Sequence, residues 1–205
     1  MSSHANGSGS SSFYPVFLRL AGRRVLLVGG GPVAASKLQG LLDAGASITV
    51  VSPEIVAEIG ARARANAASV EIHQREFAAS DLDGVWFVVA AATPDVNRAV
   101  ARAADERQIF VNAVDDPPNA TAYLGGVVRR EGVTVAISTD GHAPALAGLL
   151  REALDSLLPA PAALSEWMRE ARAIRQEWIA NGVPMEARRP LLLQRLNQLY
   201  AEQVR

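Results

Sequence analysis

Residues 25–34 read Val-Leu-Leu-Val-Gly-Gly-Gly-Pro-Val-Ala. Four apolar residues of strand character run straight into Gly-x-Gly-x-x-Ala, and helical spacing begins at once. Few patterns limit a fold so strongly. A strand, a tight glycine turn and a helix in immediate succession form the opening of a dinucleotide-binding βαβ unit. Gly29 permits the turn, Gly31 leaves room for backbone amides to approach a pyrophosphate, and Ala34 keeps the helix close to the strand. A diphosphate at that helix start meets unpaired N–H groups and the positive end of the helix dipole. A glycine turn that serves packing alone is the competing reading.

The rest of the chain repeats the alternation. The helix expected over Pro32–Asp43 places Ala34, Leu38, Leu41 and Leu42 on one face, and Pro32 suits its first turn. Residues 47–52 form a second strand, and a second helix is expected from Pro53 to about Asn66. Strands follow at 70–75, 85–91 and 109–114, with a helix over 95–107. The run at 85–91 is continuously apolar, as in a strand covered on both faces. The expected fold class is therefore α/β, a Rossmann-type doubly wound parallel sheet occupying residues 13–118. The apolar lead-in 13–20 contains Pro15 and reads as an edge or extended piece.

After Asp116-Pro117-Pro118 the pattern changes. Runs at 121–128 and 133–138 flank the polar turn Arg129-Arg130-Glu131-Gly132, which predicts an antiparallel hairpin, and a helix follows from Ala143-Pro144 to about Leu157. A two-stranded ribbon with one helix is a poor independent domain, so 119–158 is expected to close against a second copy as a homodimer. Pro159 and Pro161 break that helix. The helical region 159–205 carries Leu164, Trp167, Ala171, Ile174 and Trp178, then a second segment from Leu191 with Leu192, Leu196, Leu199 and Tyr200.

Composition narrows the function classes. The 205 residues carry a net charge of −1, so no overall basic field recruits nucleic acid or an anionic membrane. No apolar run approaches the roughly 20 residues that span a bilayer. The absence of cysteine removes disulfides, thiolate metal sites and a cysteine nucleophile, and is compatible with a cytoplasmic location. No spacing of His4, His73 and His142 resembles a metal cage. Residues 1–12, rich in Ser and Gly, read as a disordered leader.

Three stretches can carry chemistry. At the end of the second strand, Ser52 occupies the place of the acid that usually bonds the adenosine ribose, and Glu54 lies two residues on. No arginine follows directly to take a 2′-phosphate, which favours NAD over NADP; Glu54 can equally be an ordinary first-turn acid. Asn112-Ala113-Val114-Asp115-Asp116-Pro117 sits at the carboxyl end of a parallel strand, where ligands of open α/β sheets bind. There one carboxylate can take a proton while hydride leaves, or both acids can be turn formers; Asn112 can position a ligand or satisfy the turn. Ser138 and Thr139 open the loop Ser138-Thr139-Asp140-Gly141-His142-Ala143-Pro144 before a helix. Their hydroxyls can hold a ligand's carboxylates, or simply cap the helix.

In this order the pieces resemble the precorrin-2 dehydrogenase / sirohydrochlorin ferrochelatase family, the dehydrogenase module of sirohaem synthase. The resemblance is carried by Tyr14-Pro15-Val16-Phe17-Leu18, VLLVGGGPVAASK, ITVVSPE, AAATPDVN, FVNAVDDP and VAISTDGHAPALAGLLRE, and covers about residues 13–158. It implies NAD-dependent oxidation of precorrin-2 to sirohydrochlorin and, in bifunctional members, insertion of ferrous iron as a substrate to give sirohaem. It puts the family's key aspartate at Asp115 and its nucleotide contacts at Gly31, Pro32, Val33, Ser52, Pro53 and Glu54. Thr139 falls where substrate docks. Two departures stand out: the loop reads Asp140-Gly141-His142 where many members carry small or basic groups, and Gly125 stands where proline is common. The methyltransferase domain fused in some members has no counterpart in these residues. A dehydrogenase without chelation, a chelatase without oxidation and a non-catalytic NAD sensor are the rival readings.

Overall fold

The structure, a computed structural model, describes residues 13–203, with side chains as far as residue 198. The leader expected over 1–12, with His4, lies outside the described residues, as do the side chains of Leu199 and Tyr200. The chain divides into two compact units, the first ending at Leu124 and the second beginning at Gly125.

The first unit is a five-stranded sheet in the order β3-β2-β1-β4-β5, every neighbouring pair parallel. Its strands are β1 (Arg24–Val28), β2 (Ser47–Val51), β3 (Val70–His73), β4 (Phe87–Ala90) and β5 (Phe110–Ala113). Between them run α1 (Pro32–Asp43), α2 (Ala57–Ala65) and α3 (Pro94–Asp105). Side chains on β1 alternate between two cores. Val25 and Leu27 pack with Ala34, Ala35 and Leu38 of α1 and Ile59 of α2, while Leu26 and Val28 pack with Val100, Ala101 and Ala104 of α3. Both faces of the central strands are covered, which is why residues 25–28 of β1 and all of β4 are apolar rather than alternating. Each such Val or Leu contributes about 1.5–3 kcal/mol when fully buried.

Several boundaries differ from expectation for identifiable reasons. α2 starts at Ala57, not Pro53, because residues 53–56 fold back over the glycine turn and the Val56 N–H donates to the Gly30 carbonyl at 2.8 Å. The lead-in 13–20 forms no strand; Leu20 joins the core and the Phe13 ring stacks on Tyr123 at 4.2 Å between centroids. Residues 121–125 are not strand either. The Thr121 and Ala122 N–H groups both donate to the Val111 carbonyl, and Thr121 Oγ1 accepts the Val111 N–H, so this segment clips alongside β5.

In the second unit, β6 (Gly126–Arg130) pairs antiparallel with β7 (Val133–Ile137) through the two-residue turn Glu131-Gly132. Both turn residues have positive φ, 49° and 83°, the backbone twist that suits a tight hairpin. Three helices follow: α4 (Pro144–Leu157), α5 (Pro161–Ala180) and α6 (Met185–Gln203). Arg130 ties the hairpin to α4, donating to Asp155 Oδ1 at 2.6 Å and to the Leu158 and Pro159 carbonyls. Pro161 opens α5 rather than merely ending α4, since a first-turn residue needs no backbone N–H. α6 begins six residues ahead of the expected Leu191 and carries Pro190 inside it. Among the described residues no helix is long and apolar enough to cross a membrane.

Candidate functional site

Strand order decides where a ligand can enter. From β1 the chain winds outward to β2 and β3, then returns to the opposite side of β1 as β4. Loops leaving the carboxyl ends of β1 and β4 therefore diverge and open a crevice. A cleft of about 410 Å³ lies there, lined by Val33 at the start of α1, Ala91 and Ala92 after β4, Asn97 and Arg98 on α3, and Val114, Asp115 and Asp116 after β5.

The three glycines after β1 have separate tasks. Gly29 has φ 125°, and a Cβ there would overlap the Ala91 carbonyl oxygen. At Gly30 a Cβ would overlap the Glu54 carbonyl oxygen, so the segment carrying Ser52, Pro53 and Glu54 can close over the turn only because position 30 is bare. The motif expectation gave Gly30 no role; its position as the middle of three consecutive glycines was the available signal. Gly31 differs from both, since nothing lies within 4 Å of a Cβ built on it. It is the N-cap of α1, and no side chain caps the helix start. Bare backbone facing open space at a helix N-terminus fits a pyrophosphate. Pro32 and Val33 are exposed beside it, and buried Ala34 lets the helix lie close to the sheet.

The two acids after β5 are not equivalent. Asp116 is engaged: Asn119 Nδ2 donates to both its carboxylate oxygens, at 3.0 and 2.9 Å. Asp115 is exposed, forms no hydrogen bond or ion pair among the described residues, and holds φ 56°. The left-handed region is tolerated by Asp better than by most residues, yet it costs of order 1 kcal/mol. Asp116 with Asn119, and the Tyr123 hydroxyl donating to the Pro117 carbonyl at 2.8 Å, fix the turn that enforces it. Asn112 is buried on β5, where its Nδ2 donates to the Ala122 carbonyl at 2.9 Å while its Oδ1 has no partner. It anchors the segment that follows Asp115. Asn97 does similar work on the other wall, its Oδ1 accepting the Ala92 N–H at 3.0 Å and so holding the loop after β4. Nothing in the spacing marked Asn97 beforehand beyond its place in the AAATPDVN stretch.

Gly29, Gly31, Pro32, Val33 and Asp115 thus share one sheet edge, with Ser52, Pro53 and Glu54 at the adjoining end of β2. Ser138 and Thr139 belong to the second unit, where Ser138 Oγ accepts the Asp140 N–H at 3.1 Å and Thr139 Oγ1 the Ala143 N–H at 3.3 Å. Their hydroxyl hydrogens stay available as donors. Among the described residues no group of three or more His, Cys, Asp or Glu could hold a metal ion.

Sheet order and glycine turn define a dinucleotide-binding α/β module. An NAD(P)-binding family model matches residues 16–126. Siroheme synthase 3 of Aeromonas hydrophila is 47% identical over 148 residues, and siroheme synthase of Photorhabdus laumondii 45% identical over 148. Each match covers 72% of this chain but only 31% of the relative, so the chain spans about a third of the length of these proteins. The solved structure of SirC, a precorrin-2 dehydrogenase, is 27% identical with a TM-score of 0.65, over 91% of this chain and 100% of that one. The chain belongs to the NAD(P)-binding family that the matching family model describes.

Proposed function

We propose that this protein oxidises precorrin-2 to sirohydrochlorin with NAD as coenzyme. The observation that carries the reading is Asp115, an unpartnered carboxylate lining the cleft at the switch point of the sheet, on the same edge as the glycine turn. The likeness to the whole of SirC adds support.

Gly29, Gly31, Pro32 and Val33 would hold the pyrophosphate, and Ser52, Pro53 and Glu54 the adenosine ribose. NAD, when bound, supplies the two-electron acceptor for the hydride that leaves the macrocycle. Asp115 takes the proton lost with it, so that one hydride and one proton leave the substrate. Asn112 positions the segment after Asp115 by holding the Ala122 carbonyl. Ser138 and Thr139 would donate to substrate carboxylates. In this reading 13–118 is the nucleotide domain, 119–158 the dimerisation region and 159–205 a helical extension, and the protein works in the cytoplasm. Ferrous iron enters as a second substrate, with Asp115 accepting pyrrole protons on chelation.

Anaerobic incubation with precorrin-2 separates the readings by absorbance. Adding NAD is expected to produce NADH and sirohydrochlorin together, and ferrous iron added afterwards to give sirohaem. NAD binding without turnover would leave the sensor reading instead.

The homodimer rests on α4. Leu146, Leu149 and Leu150, spaced along one helix face, are exposed, Leu149 at 65%. Leu149→Asp is expected to leave the fold intact and to halve the mass measured by light scattering. A monomeric wild-type protein would remove the dimer.

A further inference from the structure

On β3 and just beyond it lies a linked set of side chains that the proposed reaction does not use. Arg75 Nη1 donates to Asp81 Oδ2 at 2.9 Å and to the Glu76 carbonyl at 3.0 Å. Its Nη2 donates to Asp81 Oδ1 at 2.5 Å and lies 3.2 Å from His73 Nδ1, while His73 Nε2 is 2.8 Å from Glu71 Oε1. With His73 donating from Nε2 to Glu71, its Nδ1 is an acceptor for Arg75. All four N–H groups on the two terminal guanidinium nitrogens are then committed, leaving only Nε–H.

Place gives this arrangement its meaning. The N–H groups of Ser52 and Arg75 both donate to the His73 carbonyl, at 3.2 and 3.0 Å, so the Arg75 backbone lies beside the end of β2. In doubly wound dinucleotide folds the adenosine ribose is read at that point, by an acid for a free 2′-hydroxyl or by an arginine for a 2′-phosphate. No arginine follows β2 directly in sequence, yet the fold delivers Arg75 from the segment just after β3. We propose that Asp81 sets the coenzyme preference by withholding Arg75 from a 2′-phosphate, making NAD rather than NADP the coenzyme; this rests on the glycine turn holding the dinucleotide. Capturing Arg75 with a phosphate would strand the Asp81 carboxylate, whose side chain is only 8% exposed, without its cation. The hydrogen bond from Arg75 holds the Asp81 carboxyl below the usual carboxylate range despite partial burial, with the Ala78 N–H helping, and the same bond raises the Arg75 pKa. Exposed Glu54 adds a like charge at the end of β2.

Fluorescence titration with NADH and NADPH tests the proposal. Wild type is expected to prefer NADH, and Asp81→Asn to raise NADPH affinity relative to NADH by about tenfold. Asn can still accept the Ala78 N–H, and Asp81→Ser gives the same readout if the Asn variant unfolds on melting. Arg75→Ala alone is expected to leave NADH binding unchanged, and added to Asp81→Asn it should abolish the gain. An unchanged ratio in a folded Asp81 variant, or equal binding of both coenzymes by wild type, overturns the proposal while the nucleotide site stands. Binding of neither coenzyme by wild type overturns both.

Discussion

Replacing Asp115 with Asn is expected to slow NADH formation from precorrin-2 by about 10²–10⁴-fold, the usual contribution of a positioned general base. Three features make this variant unusually clean. The side chain is exposed and has no partner among the described residues, so no internal ion pair is lost. The backbone sits at φ 56°, a conformation Asn accepts at least as readily as Asp. Asp116, not Asp115, makes the paired contact with Asn119 that shapes the turn. Melting temperature and NADH affinity should therefore stay near wild type while turnover collapses. Parallel loss of coenzyme affinity would make Asp115 a binding residue, and full turnover would remove its role as base. Asp116→Asn is the contrasting case. It keeps an oxygen acceptor for Asn119 and should retain most activity, with a modest loss of stability.

That contrast also marks how far the sequence could be read. The parallel sheet was legible because β1 and β4 are buried on both faces and α1 on one, so their hydrophobic patterns reported their surroundings directly. Boundaries failed where a tertiary hydrogen bond outweighed local propensity. Ser52-Pro53-Glu54 has the composition of a helix start, but the Gly30 carbonyl captures the Val56 N–H and delays α2 to Ala57. Thr121 and Ala122 have strand-like composition, yet they bond the carbonyl of Val111 instead of extending the hairpin. In the site, the pair Asp115-Asp116 was visible as two acids before a proline. Which one is tied down depends on Asn119 and on the backbone at 115, neither of which is fixed by spacing. The meeting of Arg75 with the end of β2 depends on strand order, which places β3 beside β2.

Gly31→Ala is expected to break the usual link between stability and binding. At Gly29 and Gly30 a methyl group would collide with carbonyl oxygens of Ala91 and Glu54, so alanine there should destabilise the fold and lose coenzyme for that reason alone. At Gly31 the backbone has φ −87° and ψ −175°, which any residue adopts, and the added methyl meets no protein atom within 4 Å. Alanine at such a position removes freedom from the unfolded chain and stabilises by about 0.4–1 kcal/mol. Melting temperature should therefore hold or rise. NADH affinity should fall by about tenfold or more, because the methyl occupies the space a pyrophosphate needs against the start of α1. A glycine turn that served packing alone would show the reverse, with Gly31→Ala silent in binding. Opposite signs in melting and titration, measured on one folded variant, can arise only if the empty space beside Gly31 is reserved for a ligand. Unchanged NADH affinity would show that the dinucleotide is not held at this turn.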